Sequence, residues 1–239
     1  MPWRPGAVRI GTTLPQFRDG ADAALAAARR AEELGLDGVF CFDHLWPMGQ
    51  PARPAIASGP LLGALAASTR TIGIGTLVAR IGLLPDEVLV AELAGVSSLS
   101  GGRLVAGLGT GDHLSRAENE AFGIAFEPPE VRRVRLAAVA VALVARGIPV
   151  WVGGRHRASV ELARTVGGAV NLWGAPVEQV RSLVDEGVEV TWGGPLEGGV
   201  DSIARQLAVL ADAGATWAVC GWSGSLEEVA AAADRVPRP

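Results

Sequence analysis

Residues 70–112 read RTIGIGTLVARIGLLPDEVLVAELAGVSSLSGGRLVAGLGTGD, and this stretch decides the fold class. Residues 71–78 and 104–108 are short apolar runs of the length expected for strands. Between them, residues 85–99 have helical composition and begin with a proline, which the first turn of a helix tolerates. The runs are apolar throughout rather than alternating, as in strands of a parallel sheet covered on both faces. The stretch therefore predicts a β–α–β unit.

The same alternation of strand and helix continues along the whole chain. Apolar runs predict eight strands, at residues 9–13, 38–42, 71–78, 104–108, 150–152, 169–172, 188–192 and 217–220. Helices are predicted at residues 21–34, 60–68, 85–99, 130–145, 158–166, 176–186, 200–213 and 226–233, and residues 109–129 are predicted to be irregular. Eight such units in 239 residues predict an α/β fold, a (β/α)8 TIM barrel, as one domain spanning residues 1–239. A doubly wound open sheet is the alternative.

The composition restricts the partners and the location of the protein. A formal net charge of −4 argues against a nucleic-acid or membrane-surface partner. The chain has no run of about 18 apolar residues, and its first residues, MPWRPG, lack the apolar core of a signal peptide. We therefore expect a cytoplasmic protein. Cys41 and Cys220 each lie in an apolar strand-like run, so we expect two buried free thiols.

Two residue types are missing, and their absence excludes several mechanisms. All 21 basic residues are arginines, and the chain contains neither lysine nor tyrosine. A lysine Schiff base, a P-loop and a tyrosine acid or base are therefore excluded. The chemistry must come from the remaining side chains, the backbone or a bound cofactor.

All three histidines follow predicted strands, at the end of the barrel where TIM barrels carry their sites. His44 follows Asp43, His113 follows Asp112, and His156 lies after the fifth strand. The two Asp-His pairs could gather around a metal ion, although loop histidines can also simply be exposed. Metal-dependent barrel hydrolases carry a His-x-His motif on the first strand. This chain has none there, so we expect no metal site.

Two groups of glycines follow predicted strands. Gly153 and Gly154 lie between a strand and a helix, where backbone N–H groups can cradle an anion and Arg155 or Arg157 can add charge. A tight turn is the alternative. The run Gly107-Leu108-Gly109-Thr110-Gly111 has two-residue glycine spacing but lacks the third spaced glycine of a dinucleotide fingerprint that opens a helix. We interpret it as a close approach of the backbone to a flat ligand, with a flexible loop as the alternative.

Several segments together resemble the bacterial luciferase-like superfamily of flavin- and deazaflavin-dependent oxidoreductases. These segments are RIGTTLPQ (9–16), AARRAEELGLDGVFCFDHL (27–45), the stretch 70–112 quoted above, IPVWVGGRHRASVELA (148–163) and DSIARQLAVLADAGATWAV (201–219). They span nearly the whole chain. The glycine-rich blocks around residues 100–111 and 150–154 are specific only in combination.

The resemblance implies a luciferase-like barrel that uses coenzyme F420 to move a hydride to or from a small organic substrate. Asp43 and His44 would then contact the reactive face of the cofactor, with His44 as an acid/base, and Trp46 would line the site. A non-prolyl cis peptide is expected at Gly75–Thr76, or one residue later, behind the ring of the cofactor. Both residues are therefore expected cofactor contacts.

Further roles follow from the same resemblance. Asp112 takes the place where some deazaflavin enzymes have a catalytic glutamate. Gly153 and Gly154 match backbone contacts to the phosphate of the cofactor tail. Some deazaflavin enzymes hold this phosphate with lysines, which arginines must replace here, and the glycine pattern makes Arg155 a candidate. Gly109, Thr110 and Gly111, which the glycine pattern already places close to a flat ligand, are expected cofactor contacts as well.

The chain also departs from the family pattern. It is shortened between the helix ending near Ala145 and the fifth strand, and again before the seventh strand. The site is therefore expected to be more open, or to be completed by a partner subunit in a homodimer. An FMN-dependent monooxygenase that needs a separate reductase is an alternative function. A non-catalytic flavin-binding protein is another.

Overall fold

Eight parallel strands close into a barrel in the computed structural model, which describes residues 7–18, 20–47 and 49–237. The strand segments are β1 (Arg9–Thr13), β2 (Gly38–Cys41), β3 (Gly73–Thr76), β4 (Ala79–Arg80), β5 (Leu104–Gly109), β6 (Val150–Gly153), β7 (Ala169–Trp173), β8 (Val190–Gly194) and β9 (Trp217–Cys220). Segments β3 and β4 form one barrel strand, because both pair with β5. Strand β1 pairs with both β2 and β9, which closes the sheet. The TIM barrel is confirmed, and the open-sheet alternative is wrong.

Helices connect the successive strands. They are α1 (Asp22–Glu33), α2 (Ser58–Ser68), α3 (Asp86–Leu99), α4 (Ser115–Ala121), α5 (Pro129–Val144), α6 (Arg157–Val166), α7 (Val177–Asp185), α8 (Val200–Asp212) and α9 (Leu226–Ala233). Helix α4 lies inside the stretch predicted to be irregular, so that prediction was wrong there. Its sequence, SRAENEA, is polar and has no apolar period. It is held instead by tertiary contacts of its buried polar residues.

The apolar core has two parts because strand residues alternate between the two faces of the barrel. In β2, Val39 and Cys41 belong to the larger cluster, which includes residues of the surrounding helices, and Phe40 belongs to the smaller one. The smaller cluster fills the barrel with Phe40, Leu77, Trp151, Ala169, Trp217 and Val219. The Phe40 ring stacks on Trp151 with centroids 5.0 Å apart and meets Trp217 edge-on at 5.7 Å.

The non-prolyl cis peptide lies between Leu77 and Val78, not at Gly75–Thr76 or one residue later. Gly75 and Thr76 instead continue the strand, where they pair with Phe40 and Cys41 of β2. A Cβ atom on Gly75 would come within 2.8 Å of the Phe40 ring. The Thr76 hydroxyl donates a 2.7 Å hydrogen bond to the carbonyl of Gly107. Gly75 and Thr76 therefore lie within the packed strand and not at the cis peptide. Their contact with a cofactor stays a prediction.

Strand β8 is displaced by two residues from its predicted position. Its predicted first residue, Val188, donates its N–H to Leu183 and so belongs to the turn that ends α7. Its last two residues are glycines, which hydrophobic patterns miss. Gly193 is required there, because a Cβ atom would come within 2.8 Å of the Trp173 ring.

Both cysteines are buried free thiols, as predicted. Burial raises the pKa of Cys220 to about 12 and raises that of Cys41 as well. These thiols are therefore protonated and unreactive at neutral pH. Within residues 7–18, 20–47 and 49–237, no helix is long and apolar enough to cross a membrane.

Candidate active site

Gln16 fixes the direction in which the chain leaves strand β2. Its side chain is fully buried, and Nε2 donates hydrogen bonds to the carbonyls of Phe42 at 2.7 Å and Ile56 at 3.2 Å. Its Oε1 accepts the N–H of Phe42. Both backbone groups of Phe42 are thus held by one amide, so the next two residues leave the barrel at a defined place.

Asp43 joins three elements at this end of the barrel. One carboxylate oxygen accepts the hydroxyl of Ser58 at the start of α2, at 2.7 Å. The other accepts the N–H of Arg80 in β4, also at 2.7 Å. Burial raises the pKa of Asp43, although these bonds oppose the shift. Both oxygens are engaged within the protein, and a cofactor contact of Asp43 stays a prediction.

His44 is paired with a buried carboxylate that the sequence did not indicate. Its Nδ1 lies 2.9 Å from Oε2 of Glu118 in α4. The other oxygen of Glu118 accepts the N–H of Leu45. The side chain of Glu118 is 2% exposed and that of His44 is 20% exposed. The carboxylate therefore holds both the ring of His44 and the backbone that follows it.

Arg80 is the second basic side chain at this carboxylate. Its Nη1 lies 3.0 Å from Oε2 of Glu118, and its side chain is only 4% exposed. The contact is not aligned as a hydrogen bond, and none of the three guanidinium nitrogens has a hydrogen-bond partner among the described residues. Arg80 thus acts on Glu118 through its charge.

These partners determine the charge state of Glu118. Burial alone would raise its pKa, but hydrogen bonds from His44 and Leu45 and the charge of Arg80 together lower it.

A carboxylate on Nδ1 fixes the tautomer of a neutral imidazole, with its proton on Nδ1. Nε2 makes no hydrogen bond to the described residues, so it is the nitrogen left for proton exchange. No pattern connects two residues 74 positions apart, which is why sequence reasoning missed Glu118.

Asp112, the predicted second catalytic residue, lies at the start of α4. Its Oδ1 accepts the N–H groups of Leu114 at 3.0 Å and Ser115 at 3.2 Å. The hydroxyl of Ser115 also lies 3.3 Å from this oxygen. Asp112 is exposed and satisfies backbone donors that the helix would otherwise leave unpaired. Its catalytic role stays a prediction.

Trp46 packs against the far end of the same short helix. Its ring centroid lies 5.4 Å from that of Phe122, with the two rings tilted by 44°. Phe122 follows α4 directly and is half exposed. This contact ties the loop after β2 to the loop after β5. Stacking of Trp46 on a planar ligand stays a prediction.

Val78 occupies the space that the glycines of β5 and β6 leave open. A Cβ atom on Gly109 would lie 2.5 Å from Val78 Cγ2, and one on Gly153 would lie 3.1 Å from Cγ1. A Cβ atom on Gly107 would likewise lie 2.1 Å from the carbonyl oxygen of Thr76 and 3.3 Å from Val78 Cγ1. At Gly109 and Gly153 the open space beside the backbone is thus occupied by a side chain of the protein. Their contact with a cofactor stays a prediction.

Arg132 of α5 fixes the loop after β5. Its Nη1 donates to the carbonyl oxygens of Thr110 and Gly111, the latter at 3.0 Å. Its guanidinium also lies 4.0 Å from the centroid of the Phe126 ring. Burial lowers the pKa of Arg132, and neighbouring arginines add to the effect. The carbonyls of Thr110 and Gly111 therefore point to Arg132, and that of Gly109 accepts the N–H of Ile81.

The predicted anion site after β6 has one backbone N–H group fewer than expected. The N–H of Gly154 donates to the carbonyl of Asn171 at 3.1 Å, so it is not available to a phosphate. Gly154 has a φ of +116°, which favours glycine. Arg155 is exposed beside it, and Arg157 forms an exposed 2.7 Å ion pair with Glu161. Phosphate binding by Gly153 and Arg155 stays a prediction.

An aromatic rim lies next to the strand end that carries His44. Phe42 stacks on Phe17 at 5.8 Å, and Trp173 at the end of β7 meets Phe42 edge-on at 5.6 Å. Trp173 is 42% exposed, which is high for so large an apolar side chain. The rim offers an apolar surface to a ligand above the barrel.

Metal chemistry finds no support in this geometry. Among the residues that the structure describes, no group of three or more His, Cys, Asp or Glu side chains could hold a metal ion. The two Asp-His pairs are not brought together. His44 binds Glu118, and Asp112 binds the start of α4.

Comparison with known proteins identifies the family to which the chain belongs. Residues 4–135, more than half of the chain, match the family model of the luciferase-like monooxygenases. An F420-dependent glucose-6-phosphate dehydrogenase of Nakamurella multipartita is 36% identical over 135 residues, which cover 55% of this chain and 38% of that protein. The enzyme of the same name from Beutenbergia cavernae is 38% identical over 94 residues, 39% of this chain and 28% of that protein.

Solved structures match the fold along nearly the whole chain. An F420-dependent secondary alcohol dehydrogenase, in complex with an F420–acetone adduct, has a TM-score of 0.79 at 13% identity and covers 96% of this chain and 98% of its own. The F420-dependent tetrahydromethanopterin reductase of Methanopyrus kandleri has a TM-score of 0.75 at 13% identity, covering 96% and 98%. At such identities the likeness concerns the fold. The matched segments span less than two fifths of the length of the two curated relatives above.

Proposed function

Because the chain belongs to the luciferase-like monooxygenase family, we propose that it is an F420-dependent oxidoreductase acting on a small organic substrate. The two curated relatives named above use this coenzyme and are 36% and 38% identical to the chain over the matched segments. The cofactor supplies the hydride chemistry, and the protein binds and orients it.

The residues at the carboxyl ends of the strands suit a flat ring system that has polar groups along its edge. Val78 rises from the strand ends where Gly109 and Gly153 give it room. Trp173 offers an exposed aromatic surface, and Nε2 of His44 makes no hydrogen bond to the described residues. An apolar floor with a few polar groups at its edge is typical of cofactor sites.

The observation that carries the proposal is the 2.9 Å contact between His44 Nδ1 and Glu118 Oε2. Hydride transfer to a carbonyl carbon requires a proton for the oxygen, and hydride loss from an alcohol carbon requires removal of the hydroxyl proton. We assign this proton to Nε2 of His44, because Glu118 keeps the other nitrogen protonated. Glu118 acts through His44 and is a positioning residue. Arg80 keeps Glu118 charged by its proximity.

The first experiment is a titration of the purified chain with coenzyme F420 and, separately, with FMN, followed by cofactor and tryptophan fluorescence. We expect a micromolar or tighter Kd for F420 and at least about tenfold weaker binding of FMN. Turnover is then measured as reduction of F420 by glucose 6-phosphate and by isopropanol, the substrate classes suggested by the relatives. His44→Ala should abolish turnover and leave the Kd for F420 within about tenfold. His113→Ala, an exposed histidine, is the matched control.

The same experiment separates the other functions. Failure of F420 to bind would contradict the proposal. Preference for FMN, with oxygen consumption in the presence of a separate reductase, would assign the chain to the monooxygenases. Tight flavin binding without any substrate oxidation would indicate a flavin-binding protein. The expected cytoplasmic location stays a prediction, to be checked by fractionation.

A further inference from the structure

A cavity of about 270 Å³ lies on the outer side of the barrel wall, between strand β8 and helix α8. Most of the residues that line it are apolar: Ala175, Val177, Trp192, Leu196, Val209 and Leu210. Trp192 and Leu210 are buried, whereas Val209 is 46% exposed. A concave and mostly apolar lining with a few polar groups is the usual setting of a small-molecule site.

The wall of the barrel separates this cavity from the candidate active site. Trp192 belongs to the larger apolar cluster, which lies between the strands and the surrounding helices. Gly193, the next residue of β8, faces the opposite side, where a Cβ atom would come within 2.8 Å of the Trp173 ring. Trp173 belongs to the aromatic rim of the candidate active site. None of the residues that line the cavity takes part in that site.

The neutral polar side chains of the lining are already engaged within the protein. Nε1 of Trp192 donates a 2.9 Å hydrogen bond to the carbonyl of Ala175. Nε2 of Gln206 donates to the carbonyl of Glu197 at 2.9 Å and to that of Ser202 at 3.2 Å. These N–H donors are therefore not the groups that would select a ligand.

Arg205 of α8 is the polar group that remains. It lines the cavity and is exposed, and within the described part of the chain it forms neither a hydrogen bond nor an ion pair. Asp201, one turn earlier on α8, is paired with Arg235 instead. None of the acidic residues in the surrounding segments lines the cavity; these are Glu178, Asp185, Glu197, Asp201 and Asp212. A guanidinium in this setting favours a carboxylate, which it can bind through two parallel N–H groups.

The position of Arg205 and the volume of the cavity limit the size of the ligand. Side chains four residues apart on a helix are neighbours, with Cβ atoms about 5–6 Å apart, so a group attached to a carboxylate at Arg205 reaches Val209. The cavity volume of about 270 Å³ lies just below the range of about 300–1,000 Å³ for sites of drug-sized ligands. The cavity therefore suits one ring or one short alkyl chain, which is less than a flavin.

We propose that this cavity is a second small-molecule site, which binds a monocarboxylate with a small apolar body, such as an aromatic acid. The carboxylate pairs with Arg205, and the apolar body packs against Trp192 and Val209. The inference does not rest on the proposed cofactor or reaction, because the cavity and the candidate active site lie on opposite sides of β8.

The test is a calorimetric titration of the full chain with benzoate at pH 7, with tryptophan fluorescence as a second readout. We expect a Kd of about 0.1–1 mM, which is within the range for a ligand this small. Benzamide has the same shape without the charge and should bind at least about tenfold more weakly. Acetate, which has the charge without the ring, should also bind about tenfold more weakly.

Variants test the two parts of the site. Arg205→Gln removes the charge and should weaken benzoate binding about tenfold or more. Val209→Glu should weaken it as much, because a carboxylate one turn after Arg205 pairs with it and competes with the ligand, and about tenfold is again expected. The control is Arg29→Gln, which removes an exposed arginine of α1 and should leave the Kd within about twofold, since distant surface charges are screened by salt.

Three results would overturn the proposal: no heat of binding with up to about 10 mM benzoate, equal binding of benzamide, or wild-type binding by Arg205→Gln. Saturating coenzyme F420 should leave the Kd for benzoate unchanged, whereas displacement of benzoate would place it in the candidate active site and would also overturn the proposal. If F420 itself does not bind, the proposed function fails, and the Arg205 and Val209 variants still decide this inference.

Discussion

At the residue scale, one carboxylate organises the candidate active site. Glu118 accepts from the ring of His44 and from the backbone of Leu45, and it lies 3.0 Å from the Arg80 guanidinium. A buried carboxylate is costly unless it is paired, and here two cationic or polar side chains share it. The position of His44 therefore depends on a residue from a different loop.

Replacing Glu118 tests this dependence. Glu118→Gln keeps the size of the side chain but removes the charge, so the ring of His44 loses its fixed tautomer. We expect kcat to fall by about tenfold to a hundredfold, with the KM for the cofactor within about threefold. Glu120→Gln, on the exposed side of the same helix, is the control.

Asp112→Asn completes the comparison, because the amide oxygen can still accept the N–H groups that start α4. We expect a kcat within about threefold of the wild type. If Asp112→Asn lost activity and Glu118→Gln did not, the catalytic carboxylate would be Asp112, as the family resemblance implies.

At the element scale, single side chains connect helices to neighbouring loops through hydrogen bonds. Glu32, near the end of α1, accepts the N–H groups of Arg70 at 2.8 Å, Thr71 at 2.6 Å and Ile72 at 3.0 Å. The partial burial of Glu32 would by itself raise its pKa, but these bonds lower it to about 2. The carboxylate thus holds the loop that leads into β3.

Glu32→Gln should lower the free energy of unfolding by about 1 kcal/mol at pH 7. The folded-state pKa lies below the value of about 4.3 in the unfolded chain. The stabilisation is therefore complete above that pH and is lost as the pH falls towards 2. Urea unfolding at several pH values should show the difference in unfolding free energy between wild type and variant closing from about pH 5 downwards.

The control is Glu33→Gln, which removes a surface ion pair with Arg30 and should change stability by less than about 0.5 kcal/mol. An equal gap at every pH would contradict this explanation.

The contact between Val78 and the glycines of β5 is a second interaction between elements. Gly109→Ala would put a Cβ atom 2.5 Å from Val78 Cγ2, and we expect a loss of about 1–3 kcal/mol in stability. In a Val78→Ala background the loss should be at least about 1 kcal/mol smaller, because the clashing methyl group is gone. Gly63→Ala, in an α2 position with open space around it, should stabilise the protein by about 0.5–1 kcal/mol. Additive losses in the double variant would show that the two residues do not interact.

At the scale of the whole molecule, closure of the barrel gathers residues from distant parts of the chain. The N–H of Trp222 donates to the hydroxyl of Thr13 at 2.8 Å, and the N–H of Val8 donates to the carbonyl of Pro237 at 3.1 Å. Because all strands are parallel, their carboxyl ends lie at one end of the barrel.

The sequence by itself determined the α/β class, the eight strand–helix units, the barrel, the buried free cysteines and the position of His44 at a strand end. These features depend on local composition and on the period of apolar residues, which adjacent residues express directly. Only the tertiary structure decided the rest. It placed the cis peptide at Leu77–Val78 and formed α4 from a polar segment. It also engaged both carboxylate oxygens of Asp43 in hydrogen bonds to Ser58 and Arg80. It also paired His44 with Glu118, because a contact between residues 74 positions apart forms only when the barrel brings two loops together.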